Sequence, residues 1–538
     1  MRPPNAGAFA DRLRAWLDGE GRRERAQACI RAAMEKEASI AGLLEAERSA
    51  REEALRSLAD NQPWQPDSTR EASWAAEDRA DRLATEIAAA SREVEGELEA
   101  ALIHDPDSVD AHTLLARRAR VAMAAAEKEG QSGRAAELEM RLRRHLGALP
   151  AGDPERRRAF AWLQGDGRVT LHTDPPGARV ELHRYTMQRR RLVPERVGTL
   201  GFTPLREVPL ARGSWMLEIH HPGRAVVRYP VSIGRETHWD GVAPGEHVPT
   251  PIRLPYVDDL GPDDCYVPAG WSDLGGDPLA PAGLPSVRVW VDGFVLRRFP
   301  VTQGEYVAFL DDLVRSGHEP LAERYQPRDR GTTPGTWGVP FYGRKPDGCF
   351  ELVTEADGDT WQAGWPCFYI DHVAAWAYAR WQAARTGLPW RLPMELEWEK
   401  AARGVDRRVF PWGDHIDPTW CTNRLAFPGG TLHHELVGSR ETDESPYGVR
   451  DLAGGVVEWS ASRLSVSGDT RSGERVRPVD GSDETEEAWL GRSATWRAVG
   501  RGGSLLHDLN ASRAAFRVSV DPWIHSSNLG FRLARSLT

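Results

Sequence analysis

Fifteen of the 21 tryptophans fall after residue 258, in a stretch that is also dense in glycine and proline. No other feature constrains the fold as strongly. Glycine and proline interrupt helices and strands, so a core built there has to be filled by large aromatic side chains lying between long loops. Residues 1–150 read differently, being rich in Ala, Glu, Arg and Leu. Residues 168–254 alternate short strand-like runs with turns. A chain of 538 residues is too long for one core. The changes in composition predict a multidomain protein: an α-helical region over 1–150, a small β-sandwich over 168–254 and an α+β domain over 258–538.

In the helical region, Ile40, Leu43, Leu44, Leu55 and Leu58 fall at near-helical spacing and predict one apolar stripe. The prolines of "NQPWQPDST" (61–69) break that helix. Ser68 and Glu71 have the spacing of a capping box for a second helix, with Trp74, Leu83, Ile87, Val94 and Leu98 on its apolar side. Asp105 as cap and Pro106 at the first helical position predict a third helix running to about Glu129, and a last one covers about 133–147. The run "ALIHDPDSVDAHTLLA" resembles the junction between tetratricopeptide repeats, although no second copy follows. A helical hairpin or short coiled coil reads equally well.

The formal net charge of −10 argues against a nucleic-acid partner. No run of about 18 apolar residues could cross a membrane, and the N-terminus lacks the apolar stretch of a secretion signal. The expected compartment is therefore the cytoplasm. Cys29, Cys265, Cys349, Cys367 and Cys421 lie far apart and read as isolated buried thiols.

Within 168–254, "PPGA" (175–178) separates two strand-like runs, and Gly201, Thr203, Pro204, Leu205, Leu210, Gly213 and Leu217 follow. This pattern resembles the PEGA domain, a small β-sandwich, and implies a spacer or adhesion module without enzymatic activity. The basic segment "MQRRRLVPER" (187–196) reads as a solvated hairpin tip, or as a surface for an acidic partner.

Residues 258–538 hold a series of motifs in order. They are "CYVPAGWSDLGG" (265–276), "VDGFVLRRFPVTQGEYVAFLDDL" (291–313), "PCFYIDHVAAWAYARW" (366–381), "RLPMELEWEKAARG" (391–404), "FPWGD" (410–414), "YGVRDLAGGVVEWS" (447–460), "GRGGS" (500–504) and "SSNLGFRLAR" (526–535). Together they resemble the formylglycine-generating enzyme/sulfatase-modifying-factor family, which implies a C-type-lectin-like α+β fold. Independently of that resemblance, Glu395 and Glu399 lie one helical turn apart. Arg391, Arg403 and Arg501 are candidates for buried carboxylate forks, with Glu458 as a partner. Gly502 and Gly503 predict close backbone approach or positive φ.

In oxidising members of the family, two cysteines just after the GGS element bind copper. Here His507 stands where the first would fall and Ser512 stands near the second, and neither Leu505 nor Leu506, just before His507, can bind a metal. A histidine without thiolates does not make a soft two-coordinate site, so formylglycine-generating activity is not expected. The resemblance places Ser504 and Arg517 beside a substrate groove. The candidate groove is Ser504, His507, Ser512, Arg517, Glu458 and Trp459, with no catalytic residue assigned.

The family's calcium loop has Gly455 in place of its asparagine, which leaves Asn423 and Asp451 as candidate ligands. No other cofactor is expected. An iron-dependent branch carries histidines in a helical bundle, but His104, His112 and His145 form no HxxxH pair. The adjacent histidines of "LHHEL" (432–436) read as packing rather than as a metal site with His507.

These readings predict a non-catalytic recognition or scaffold protein of a bacterial signalling or defence system, with a protein partner such as a kinase or protease. The acidic segment 464–498 is either a surface loop or part of a recognition face. Two alternatives are a divergent metal-dependent oxidase or oxygenase using His507, and a sugar binder that stacks exposed tryptophans on its ligand.

Overall fold

The structure, a computed structural model, describes residues 6–59, 67–128, 131–329, 338–354, 358, 360–427, 429, 432–463, 474–476 and 497–537. The chain divides into two compact units, Met1–Gln164 and Gly165–Thr538.

The first unit contains α1 (Ala6–Ala59), α2 (Glu71–His104), α3 (Val109–Lys128), α4 (Ser132–Ala148) and α5 (Pro154–Gln164). Its long helices meet along a seam of small residues. Ala26, Ala33, Ile40 and Ala54 of α1 are buried at multiples of seven, as are Ser73, Ala80, Val94 and Ala101 of α2. A seven-residue repeat keeps one seam facing its partner, and alanine lets the two backbones approach closely. The expected apolar faces are met in part: Ile40, Val94 and Leu98 are buried, whereas Leu44 and Trp74 are half exposed. The expected capping box is absent. Arg70 occupies the N-cap of α2 and makes no side-chain cap bond. Asp105 ends α2 instead of starting α3, and the Ser108 hydroxyl accepts from Ala111 N–H at 3.5 Å near the start of α3. The unit also runs past residue 150, because Ala159 and Leu163 of α5 join the core of α3 and α4.

The second unit opens with β1 (Gly167–Leu171), β2 (Thr173–Asp174), β3 (Arg179–Gln188), β4 (Arg191–Phe202), β5 (Leu205–Leu210), β6 (Gly213–His220), β7 (Val227–Ile233), β8 (His238–Trp239) and β9 (Ile252–Arg253). A four-stranded sheet, β4-β3-β6-β7, shares its core with the β5-β1-β8 sheet, and β2 pairs with β9. Period-two alternation explains the layering: Val180, Leu182, Leu217 and Ile219 point inward, while Glu181, His183, Glu218 and His220 alternate with them. The hairpin between β3 and β4 turns at Arg189 and Arg190, both at positive φ. Its tip at 187–190 is exposed as expected, and the residues just after the turn are braced. Leu192 N–H donates to Trp412 O at 2.8 Å, and Arg191 donates to Thr442 at 3.2 Å. The strands over 168–254 thus pack into the same compact unit as the tryptophan-rich part instead of standing apart from it.

The remainder contains β10 (Asp264–Val267), β11 (Gly270–Leu274), β12 (Val287–Val291), β13 (Phe294–Arg297), α6 (Gln303–Arg315), α7 (Glu319–Tyr325), β14 (Gly343–Arg344), β15 (Phe350–Glu351), α8 (His372–Thr386), β16 (Trp390–Arg391), α9 (Glu395–Arg403), β17 (Val457–Arg463), β18 (Arg475–Val476), β19 (Ala498–Arg501), β20 (Arg517–Val520), β21 (Leu529–Gly530) and β22 (Ala534–Ser536). Two four-stranded sheets, β10-β13-β22-β16 and β20-β19-β17-β21, organise it. Local chemistry sets the helix starts. Thr302 and Glu305 form a reciprocal capping box on α6, and the Asp371 carboxylate accepts from Ala374 N–H at 2.8 Å on α8. Trp290, Trp398 and Trp459 are fully buried. Among the described residues of this part the tryptophans are buried or partly buried, and Trp337, Trp489 and Trp496 lie outside the described residues.

Two substitutions test the small-residue seam. Ala80→Leu overpacks it and is expected to cost about 1–3 kcal/mol, whereas Trp74→Ala, at a half-exposed site, is expected to change stability by less than about 0.5 kcal/mol. Chemical denaturation of the full chain, followed by helical circular dichroism, measures both.

Candidate functional site

The site grows from helix α9. Its three glutamates are each taken up by arginine. Glu395 accepts from Arg517 at 2.6 and 3.0 Å. Glu397 forms a two-pronged fork with Arg391, both contacts at 2.7 Å. Glu399 accepts from Arg403 at 2.9 Å and from Arg501 at 2.7 Å. Burial pushes the Glu399 carboxyl up, but Arg501 and Arg403 outweigh it and hold the group below its ordinary value. Next to this ladder, Glu458 accepts from Arg532 at 2.6 Å through each oxygen and from Trp398 Nε1 at 2.8 Å. Arg532 also donates to the carbonyls of Arg297, Arg298, Arg450 and Asp451. One guanidinium thus ties two backbone segments, through four carbonyls, to a single carboxylate. Lys400 acts similarly: its Nζ donates to Pro268, Gly270 and Val291 carbonyls at 2.8, 3.1 and 3.2 Å.

The arginines read from the sequence as fork candidates therefore do form buried carboxylate pairs. The same geometry divides the candidate groove. Arg517, Glu458 and Trp459 are buried in the scaffold, with Arg517 engaged by Glu395 and Glu458 by Arg532. They are not open to a ligand.

Ser504, His507 and Ser512 lie on the turn that leaves β19. Gly502, at φ 76°, and Gly503 shape its start. A Cβ on Gly503 would stand 3.0 Å from the carbonyl oxygens of both Ala453 and Ala511, so this glycine pair allows three backbone segments to touch. Ser504 Oγ and His507 Nδ1 are hydrogen-bonded at 2.9 Å, and Asn528 donates to the same hydroxyl at 3.4 Å. His507 is half-buried, which lowers its pKa. Its carbonyl accepts from Arg424 N–H at 3.0 Å.

Ser512 is buried and meets a residue that the sequence reading left out of the site. The Cys421 thiol donates to Ser512 Oγ at 3.6 Å. Burial pushes this thiol up to about 12, so it is protonated at neutral pH and is a poor soft-metal ligand. A cysteine about 90 residues upstream carries no spacing signal that would have linked it to this turn.

The calcium ligands expected at Asn423 and Asp451 do not form a set that fits the ion. The Asn423 amide donates to the Pro418 and Cys421 carbonyls, and its oxygen accepts from Leu425 N–H at 2.9 Å. The side chain is used up in closing its own turn. Asp451 accepts from Gly438 N–H at 2.6 Å. It lines a cavity of about 20 Å³ with Asp443, Thr422 and Glu435, and Asn423 is not among the walls. Calcium takes 6–8 oxygens. In that cavity burial, with the charge of Asp451 beside it, raises Asp443 to about 7, and burial, with the charge of Glu458, raises Asp451 to about 6.

The paired histidines of 432–436 also separate from His507. His434 is buried and stacked on Phe368 at 3.8 Å between centroids. Among the described residues, no metal-capable cluster of three or more includes His433, His434 or His507. Most of segment 464–498 lies outside the described residues.

The fold and site define a loop-rich α+β domain pinned by internal Arg–Glu forks, with a serine–histidine turn at the position of a metal loop. Residues 257–537 match the sulfatase-modifying factor enzyme 1-like domain, and the chain belongs to that family. It is 27% identical over 301 residues to the formylglycine-generating enzyme of Thermomonospora curvata, covering 50% of this chain and 91% of that protein. It is 34% identical over 188 residues to the hercynine oxygenase of Mycobacterium tuberculosis, covering 34% of this chain and 40% of that one. It is also 30% identical over 179 residues to the inactive C-alpha-formylglycine-generating enzyme 2 of Mus musculus, covering 32% and 49%. This chain thus spans less than half the length of the last two relatives.

Two predictions follow from the buried charges. Glu458→Ala strands Arg532 and is expected to cost about 3–5 kcal/mol, against less than about 1 kcal/mol for His507→Ala; thermal unfolding distinguishes them. Burial holds His372 at about 4 and His434 at about 3. Because these folded-state values lie below the unfolded one, the stability they contribute is present above about pH 6.5 and is lost as pH falls toward 4. By pH 5 each histidine is expected to have withdrawn roughly 2 kcal/mol. His434→Phe should flatten the decline in melting temperature between pH 7 and 5.

Proposed function

We propose that the chain is a non-catalytic recognition member of its family, acting as a scaffold for a protein partner in a bacterial signalling or defence system. The observation that carries this reading is the donor set at the turn. His507 is paired to Ser504, Ser512 stands near the second metal-binding position, and the neighbouring Cys421 is a protonated, buried thiol. That set offers copper no thiolate.

An apolar surface beside the turn supports the recognition role. Leu506 and Leu425 are exposed at 43% and 59%, and Arg424, next to Leu425, is bonded to the His507 backbone. Exposed leucines flanked by polar side chains suit a protein contact. On this reading the strands of 168–254 are a PEGA-like module and residues 258–538 a C-type-lectin-like one, both acting in the cytoplasm. The partner is a protein of the same system, such as a kinase or protease.

Hercynine oxygenase among the relatives makes divergent oxygen chemistry the second reading. One experiment separates the two. Purified protein is assayed for copper and iron, and then for oxygen uptake with a cysteine-containing peptide. Scaffold function predicts neither stoichiometric metal nor oxygen consumption. It also predicts a stoichiometric partner in pull-downs that Leu425→Asp/Leu506→Asp abolishes without lowering the melting temperature. Oxygen uptake that His507→Ala removes would establish the enzyme reading instead.

A further inference from the structure

We propose a divalent transition-metal site, of the kind that takes zinc, on the face of the β4-β3-β6-β7 sheet turned away from the β5-β1-β8 sheet, built by Glu181, His183 and Glu218, with His220 as the fourth donor. It lies within the strands of 168–254 and does not depend on the function proposed above.

The register of two strands creates the cluster. Glu181 stands directly opposite Glu218, and His220 opposite Arg179. Alternation then puts Glu181 and His183 of β3 on the same face as Glu218 and His220 of β6. Ligand atoms of Glu181, His183 and Glu218 all lie within 4.8 Å of one another.

The distances distinguish a metal site from an ordinary hydrogen-bonded cluster. Glu218 Oε2 sits 3.5 Å from His183 Nε2 and 3.8 Å from His220 Nε2. Both nitrogens are buried at the atomic level and make no hydrogen bond. A carboxylate between two imidazoles would ordinarily accept at about 2.7–3.2 Å. Ligand atoms 2.0–2.1 Å from a tetrahedral ion stand roughly 3.3–3.4 Å apart along each edge. The observed spacing is therefore too long for hydrogen bonds and close to that between neighbouring ligands around one ion.

Imidazole nitrogen and carboxylate oxygen are both good zinc donors. Glu181 is also engaged by Arg196 at 3.0 Å and by Arg179, so these two guanidinium groups compete with an ion for its carboxylate. An ion held here would bind β3 to β6 across the sheet.

The test uses the full chain, stripped with a chelator and titrated with Zn2+ alone by calorimetry and with Co2+ alone by visible absorption. One equivalent of zinc is expected, with a Kd at or below about 1 μM, together with the intense visible bands of tetrahedral cobalt. His183→Ala and His220→Ala should each weaken binding by on the order of 100-fold or more, since even outer-shell losses cost 10–100-fold. Arg196→Ala, which frees Glu181, should tighten it. Circular dichroism without metal checks that each variant folds. Absence of stoichiometric zinc from the wild-type chain overturns the proposal. So does zinc binding that survives His183→Ala/His220→Ala, since the ion would then sit elsewhere.

Discussion

A guanidinium taken out of water loses several kcal/mol of hydration unless a carboxylate and further acceptors replace it. Arg532 meets that requirement with both oxygens of Glu458 and four backbone carbonyls, and in doing so it fixes the relation of β13, β17 and the loop around Asp451. The irregular half of the molecule depends on this kind of contact. Long loops have no ladder of their own for their carbonyls, so buried cations supply the donors. Arg403, Arg501 and Lys400 do the same around α9. Tryptophan and tyrosine rings then fill the space that the loops leave.

This dependence explains why the residues nearest the presumed chemistry are unavailable for it. Arg517 and Glu395 saturate each other, and Glu458 saturates Arg532. The forks do not include the turn at 504–512, so residues of that turn can vary without disturbing the charge pairs that hold the scaffold. That turn is held by backbone contact at Gly502 and Gly503 and by small hydroxyls, which is a different and locally replaceable set of interactions.

The strands of 168–254 pack against the tryptophan-rich part, and that contact sets their structural role. With Leu192 bonded to Trp412 and Arg191 to Thr442, the β3–β4 hairpin braces the loop at 410–414. A tethered spacer would leave both surfaces in water. The outward-facing cluster on β3 and β6 lies on the same sheet but away from its inner core, so metal binding there would stiffen the brace without entering the family's own site.

Motif order alone identified the domain over 258–538, because the glycines, tryptophans and charged residues of such a fold recur at fixed places along the chain. The sequence also determined the helical character of the N-terminal region and three of the fork arginines, Arg391, Arg403 and Arg501, but not Arg517 and Arg532, which take up Glu395 and Glu458. It did not determine which helical face is buried: alanine reads as a helix former, and only packing showed the seven-residue Ala seam that Leu44 and Trp74 lie outside. Nor did it disclose Cys421 beside Ser512, the closure of Asn423 on its own turn, or the meeting of His183, Glu218 and His220. The first and last of these join residues far apart in the chain, and a linear pattern carries no information about a partner that only the folded backbone brings near; Asn423 closes on near neighbours, and only the folded turn shows which oxygen and amide it uses.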